Sequence, residues 1–308
     1  MDFYDVVIIG GGPAGLTAGL YTGRAGLKSI LLERGVFGGQ IINARLVENY
    51  PGFPEGISGA ELGDSMYQQA IRYNLETLTT EVTEAKSENI YTVYTTEGSI
   101  QTKSIIIAAG SEYRKLNVDG EKRLSGYGVS YCATCDGLFF RGKNVAVVGG
   151  GDTAITDALE LTQHANKVYL IHRRDQLRAG KLLQKRALTH PKLEFIWDTV
   201  VDEVLGDKML SGLALYNVKT GQRSNLKVDG VFIAVGLKPY SISFSNILEL
   251  DNEGYIITDQ TMATSAASIF AAGDIRRNSA RQIASAVGDG VTAAMSAFKY
   301  IQEKGNGN

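Results

Sequence analysis

Proline and cysteine are scarce in this chain, at five and two of 308 residues. Two cysteines cannot build a disulfide framework for a chain of this length, and nothing else in the sequence points to secretion. Histidine is scarcer than a metal protein would suggest. His164, His172 and His190 are not spaced as a ligand pair, so a four-ligand zinc site would need a second copy of the chain. No apolar run approaches the ~20 residues of a membrane span. The start, "MDFYDVVIIGGGPAG", has no basic segment and too short an apolar run for a secretory leader. The cytoplasm is the expected compartment. A net charge of −2 favours neither nucleic acid nor an anionic membrane as a partner. Glycine, in contrast, is abundant at 36 residues. With no collagen period and no low-complexity tract, it points to tight turns and close backbone approach to a ligand. Hydrophobic residues at 44% and charged residues at 21% are ordinary for a globular protein, and the length suits about two domains.

Glycine-rich turns follow apolar strands twice. Asp5–Gly35 reads "DVVIIGGGPAGLTAGLYTGRAGLKSILLERG", and Asn144–Asp175 reads "NVAVVGGGDTAITDALELTQHANKVYLIHRRD". Each has a β-branched run, a glycine turn, a helix-period stretch and a second apolar strand, which together make a βαβ unit. An offset of 149 − 10 = 139 lays Gly10 on Gly149 and Glu33 on His172 without a gap. Such repetition is a stronger signal than one G-x-G-x-x-G alone. Gly10 and Gly149 permit the tight turn, and Gly12 and Gly151 let the backbone approach a pyrophosphate. Gly15 and Ala154 let the helix pack closely on the strand. Pro13 fits the first helical position, where its missing N–H has no consequence. The helix N-termini then offer free amides to phosphates.

The two units differ where ligand identity is decided. Glu33 ends the second strand of the first unit, where an acid accepts from a ribose 2′-OH and repels a 2′-phosphate. The matching site of the second unit holds His172, Arg173 and Arg174, with Arg178 four residues on. Guanidinium groups there suit a 2′-phosphate. The alternative is a solvated basic helix start, continued by Lys181, Lys185 and Arg186, but the register match favours the first reading for Arg173. The first site is therefore expected to hold FAD and the second NADPH.

Two further strand-like segments, "SIIIAAGSEYR" (Ser104–Arg114) and "GVFIAVGLKP" (Gly230–Pro239), end in glycine turns and follow alternating stretches. A third, "ASIFAAGDI" (Ala267–Ile275), precedes a helix-period stretch from near Arg281 and resembles nothing in the second domain. It reads as the chain returning to complete the first domain. The expected fold class is thus α/β, with two Rossmann-like nucleotide-binding domains. Each is three-layered, with a parallel sheet plus a β-meander, and the second is inserted into the first. The expected boundaries are 1–113 with 246–308 for FAD, and 114–245 for NADPH.

Both cysteines lie in "YCATCDGLFF" (Tyr131–Phe140). Cys132 and Cys135 can be a redox pair, half of a metal site completed elsewhere, or two inert buried residues. Asp136 can move a proton on a departing thiolate or serve only as a helix cap.

The ordered set "GGGPAG", "GGQ", "VENYPG", "CATCDG", "GGGDTA", "HRRDQLRA" and "AAGDI…RQIASAVGDG" resembles the low-molecular-weight thioredoxin reductases of bacteria and archaea over essentially the whole chain. That resemblance implies a homodimeric FAD enzyme passing electrons from NADPH to the disulfide of thioredoxin or a thioredoxin-like protein. It implies that Gly10, Gly12, Pro13, Ala14 and Gly15 hold the FAD pyrophosphate and Glu33 the adenosine ribose. Gly39, Gln40 and Asn49 become flavin contacts, Gly273 and Asp274 hold the ribityl chain, and Arg281 and Gln282 lie near the isoalloxazine. Gly151, Asp152, Thr153, His172, Arg173, Arg174 and Arg178 form the NADPH site, although Asp152 suits a purely structural cap equally well. Cys135 becomes the flavin-facing sulfur, Cys132 the one that attacks the partner, and Asp136 the general acid or base. Leu138, Phe139 and Phe140 become either a docking surface or core. Other readings are a reductase drawing on NADH or ferredoxin or serving another dithiol protein, and a flavin-bound redox sensor without turnover.

Overall fold

The computed structural model describes residues 2–44, 46–87 and 90–305. The chain forms two compact units, Met1–Glu112 with Lys238–Asn308, and Tyr113–Leu237.

The first unit opens with β1 (Asp2–Ile9), α1 (Pro13–Arg24) and β2 (Ser29–Glu33). It continues through α2 (Gly59–Ile71), β3 (Glu76–Thr79), β4 (Val82–Ser87), β5 (Tyr91–Thr95), β6 (Gly98–Ile107) and β7 (Ser111–Tyr113). The second unit runs from β8 (Val129–Ser130) and a single helical turn, α3 (Ala133–Asp136), to β9 (Asn144–Gly149), α4 (Asp152–Leu161) and β10 (Lys167–Ile171). It adds α5 (Lys181–Leu188), β11 (Leu193–Ile196), the meander β12 (Thr199–Gly206), β13 (Leu210–Asn217) and β14 (Arg223–Leu226), and then β15 (Gly230–Ala234). After β16 (Leu237–Pro239) the chain re-enters the first unit and forms β17 (Ile269–Ala271) and α6 (Ile283–Gly305).

Both units are built on five parallel strands. Their order is β3-β2-β1-β6-β17 in the first and β11-β10-β9-β15-β8 in the second. The strands are apolar at nearly every position because both faces are covered. Alternation divides them between two clusters. Val6, Ile8, Leu31 and Ile106 face the helix-side core with α1 and α6, whereas Val7, Ile9, Leu32, Ile105 and Ile107 pack against Ala85 and Val93 of the meander. The second unit repeats this, with Val145, Val147 and Phe232 facing α4, and Ala146, Val148 and Ile233 facing Val204, Leu213 and Leu215. Each fully buried Val, Ile or Phe contributes roughly 1.5–3 kcal/mol, so a one-residue slip in register is strongly disfavoured.

The α/β class with parallel sheets and meanders is the one the sequence predicts. Two particulars differ. The second crossing between units falls at Leu237/Lys238 rather than at 245/246, because Phe244 and Leu248 pack with Ile256, Ile269 and Ile275 of the first unit. The segment at 267–275 also has a counterpart after all. β17 lies beside β6 as β8 lies beside β15, so the fifth strand comes last in one unit and first in the other. Sequence alignment cannot find a match whose order is permuted.

Candidate functional site

Candidate side chains cluster at the carboxyl ends of these parallel strands, where ligands bind in open α/β sheets. In the first unit Gly10 has φ +106°, and a Cβ there would lie 2.4 Å from Ala108 O. A Cβ on Gly15 would lie 1.8 Å from Gly10 O, whereas one on Gly12 meets only Gly39 Cα, at 4.0 Å. Two glycines thus let the backbone close on itself, and the third keeps the entrance clear. α1 starts at Pro13 without a side-chain cap, so its first turn keeps amides for an anion. Glu33 reaches back to this loop. The Gly11 N–H donates to its Oε2 at 2.6 Å and the Gly35 N–H to its Oε1 at 2.8 Å. Each oxygen keeps a lone pair for a hydroxyl.

Other predicted residues gather near the same loop or in the 40–50 and 273–282 segments. Gly39 packs against Gly12, and Ala14 against Gly273. Gln40 Nε2 donates to Ser111 O. Asn49 Nδ2 donates to Gln282 Oε1 at 3.1 Å. Asp274 accepts from Ser279 Oγ at 3.1 Å, and burial pushes its carboxyl above the usual range against the pull of Ser279 and Arg281. Arg281 lies over the Tyr255 ring, 5.4 Å from its centroid. Beneath the Asp274 turn, Asp289 takes a two-pronged grip from Arg276 at 2.5 and 2.8 Å and also accepts from Gly273 N–H at 3.0 Å. Neither residue of this pair is among the predicted ones. A lone acid in the apolar stretch "AVGDGVTAAM" was the available signal.

The second unit repeats the loop with different fittings. Gly151 is open, with nothing within 4 Å of a Cβ built there. Asp152 Oδ1 accepts from Gly180 N–H at 2.7 Å and so ties the start of α4 to the start of α5, while Thr153 is exposed. His172 turns inward. It is 5% exposed, its ring abuts Gly150, and its Nε2 bonds Gln176 O at 3.1 Å. Burial, reinforced by the neighbouring arginines, lowers its pKa. His172 therefore supports the loop from below. Arg173, Arg174 and Arg178 line an open pocket of ≈ 360 Å³ with Asp175, Asp198 and Lys219.

The cysteines follow β8. Cys132 and Cys135 form a disulfide, with Cα atoms 5.3 Å apart. Cys132 precedes the α3 turn, and its Sγ accepts the Cys135 N–H at 3.2 Å. Ser130 Oγ donates to Asp136 Oδ2 at 2.6 Å and accepts the Cys132 N–H at 3.1 Å. Burial pushes the Asp136 carboxyl up, and the Ser130 bond pulls the other way. Thr134 Oγ1 donates to Glu160 Oε2 on α4 at 3.1 Å. Ser130 and Glu160 carried no sequence signal. Of the three residues after the motif, Phe140 is core against Phe232, and Leu138 and Phe139 are exposed. Among the described residues no group of three or more His, Cys, Asp or Glu can hold a metal ion, and no helix is long and apolar enough to cross a membrane.

The arrangement can bind two nucleotides on glycine loops and can exchange a disulfide beside a half-buried acid. The chain is similar to known proteins over nearly its whole length. Residues 4–290 match the pyridine nucleotide-disulphide oxidoreductase family. The thioredoxin reductase of Listeria monocytogenes is 48% identical over 97% of this chain and 94% of its own length. That of Bacillus subtilis is 46% identical over 97% and 95%. The crystal structure of thioredoxin reductase from Streptococcus pyogenes superposes with a TM-score of 0.94 at 46% identity, covering 98% of this chain and 99% of that one.

Proposed function

The chain belongs to the pyridine nucleotide-disulphide oxidoreductase family, and within it we propose that the protein is an NADPH-dependent thioredoxin reductase. The family implies use of a flavin and a nicotinamide nucleotide; the finer assignments are FAD to the first unit and NADPH to the second. The observation that carries the reading is the Cys132–Cys135 disulfide beside a half-buried acid, in the unit whose strand-end pocket holds three arginines.

The donor set of the first unit suits FAD. Open space at Gly12, an uncapped α1 and an acid at the end of β2 fit a pyrophosphate and a ribose with a free 2′-OH. Asp274, held by Ser279 above the Arg276–Asp289 pair, is the candidate partner for a ribityl hydroxyl. In the second unit the arginines take the 2′-phosphate, and His172 holds their loop in place. A flavin held by these residues of the first unit would supply the two electrons needed to open the Cys132–Cys135 disulfide. The Cys135 amide then stabilises a thiolate on Cys132, which makes Cys132 the nucleophile. Its attack forms a Cys132–partner S–S bond and breaks the partner's disulfide, and Asp136 donates a proton to the departing thiolate. Cys135 attacks Cys132 in turn. The intramolecular disulfide re-forms, and the partner leaves as a dithiol. The enzyme works as a cytoplasmic homodimer in this reading, with no nucleic-acid or membrane partner.

Trapping tests the assignment of the sulfurs. With reduced protein and oxidised thioredoxin, Cys135→Ser accumulates a covalent mixed disulfide, and Cys132→Ser does not. The reverse pattern would exchange the two roles. No adduct with either variant, together with intact NADPH-driven reduction of thioredoxin, would remove the cysteine pair from the reaction.

A further inference from the structure

The pocket at the end of β10 is not lined by cations alone. Asp175 and Asp198 stand in it beside Arg173, Arg174 and Arg178. With Lys219 the pocket holds six charges, and the acids of such an exposed pocket would ordinarily pair with the guanidinium groups. Here they do not. Among the described residues the three guanidinium groups make no hydrogen bond or ion pair, whereas both carboxylates are taken by one ammonium. Lys219 Nζ lies 2.8 Å from Asp175 Oδ2 and 3.2 Å from Asp198 Oδ2.

The lysine is placed by backbone structure rather than by chance contact. It sits in the β13–β14 turn, where Asn217 Oδ1 accepts the Lys219 N–H at 3.0 Å and the Thr220 N–H at 2.9 Å. The turn is joined to the arginine loop in two steps. Val218 N–H donates to Asp198 O at 2.7 Å, and Asp198 N–H donates to Arg174 O at 3.4 Å. The meander therefore delivers a cation to the edge of the nucleotide pocket at a fixed position.

We propose that Lys219 is a positioning residue for nucleotide specificity: it engages Asp175 and Asp198, and so leaves the three arginines free for the 2′-phosphate of NADPH. This rests on the reading that the pocket takes NADPH. Without Lys219, the two carboxylates pair with the guanidinium groups and repel the phosphate dianion. The effect is confined to ligands with a 2′-phosphate. It is electrostatic, so it shrinks at high salt.

Calorimetric titration of the flavin-loaded protein with 2′,5′-ADP and with ADP provides the test, and neither probe depends on turnover. Lys219→Met is expected to weaken 2′,5′-ADP roughly five- to twentyfold and ADP less than about twofold, from two unmasked carboxylates near an exposed dianion. Adding Asp175→Asn and Asp198→Asn is expected to restore 2′,5′-ADP to within about twofold of wild type, because the masked charges are then gone. Asp175→Asn with Asp198→Asn in the Lys219 background keeps wild-type or tighter binding. It also shows whether the pocket withstands the changes. Unchanged 2′,5′-ADP affinity in Lys219→Met would overturn the proposal, as would equal loss of both ligands. A triple variant that stays weak would mean that Lys219 touches the phosphate itself, and would overturn masking. If wild type holds 2′,5′-ADP no tighter than ADP, the NADPH reading itself fails. A clear wild-type preference with an inert Lys219 removes only this inference.

Discussion

The two units carry the same five-stranded parallel scaffold and put different chemistry at matching places. At the end of the second βαβ strand, Glu33 bonds the amides of its own glycine loop, whereas His172 is buried beneath the loop and leaves the pocket to arginines. At the exit of the fifth strand, β17 leads to Asp274 and β8 leads to Cys132, Cys135 and Asp136. Both exits hold a half-buried acid whose pKa partial burial raises and a serine hydroxyl restrains. The helices differ as well. Position 18 of α1 is a fully buried alanine, and its register mate on α4 is Asp157. Apolar alternation and a few glycines fix the scaffold, and a handful of strand-end side chains decide what it binds.

The largest effect is expected where the loops are least alike in tolerance. Gly15→Ala drives a Cβ into Gly10 O, 1.8 Å away, and should cost about 3 kcal/mol or more and yield protein without flavin. The reverse change at the matching position, Ala154→Gly, should cost only about 1 kcal/mol. Thermal melts and flavin absorbance compare the two, and equal tolerance would break the account of why the first loop needs glycine there. Next, Arg174→Ala should weaken NADPH roughly ten- to hundredfold and leave NADH unchanged, as expected for lost charge-assisted hydrogen bonds. Loss of both nucleotides together would assign the arginine to the fold.

The two serine-restrained acids give a smaller and more pointed comparison. Ser130→Ala removes the donor that lowers the Asp136 pKa, so Asp136 stays protonated to higher pH. The alkaline fall in thioredoxin reduction should move to higher pH, whereas Ser279→Ala should leave it in place. An unmoved alkaline fall, with the acid-side rise displaced to higher pH instead, would mean that Asp136 acts as a base. The smallest effect belongs to Asp157, whose carboxyl burial and the nearby Glu160 push up to about 7. Its raised folded-state pKa gives stability that is full below 3.8 and is lost as pH climbs towards about 7. Asp157→Asn should match wild type in acid and become more stable as pH rises through that window, by roughly 1–2 kcal/mol at the plateau. Melting temperatures that track together across the window would contradict it.

Much of this was legible in the residues. Strand alternation, the glycine turns and the 139-residue offset required only local periodicity, and they led to the α/β class and to both loops. The spacing of Cys132 and Cys135 suited a disulfide, whereas the role of Asp136 rested on the family resemblance. The inward turn of His172 was not legible, because a strand-end residue can face either side and only the Gly150 gap decides which. Ser130, Lys219 and the Arg276–Asp289 pair were hidden for a related reason. Each acts on a residue from another turn, strand or helix, so its meaning appears only after packing. The permuted fifth strand shows the same limit at the level of topology.

The central claim is that electrons from NADPH reach the flavin and then the Cys132–Cys135 disulfide. Anaerobic titration of the flavin-loaded protein with NADPH counts them directly. Wild type should take up about two equivalents per flavin and Cys135→Ser about one, because each NADPH delivers two electrons and the variant has no disulfide to fill. One equivalent in both proteins, or a flavin that NADPH fails to bleach, would contradict the account.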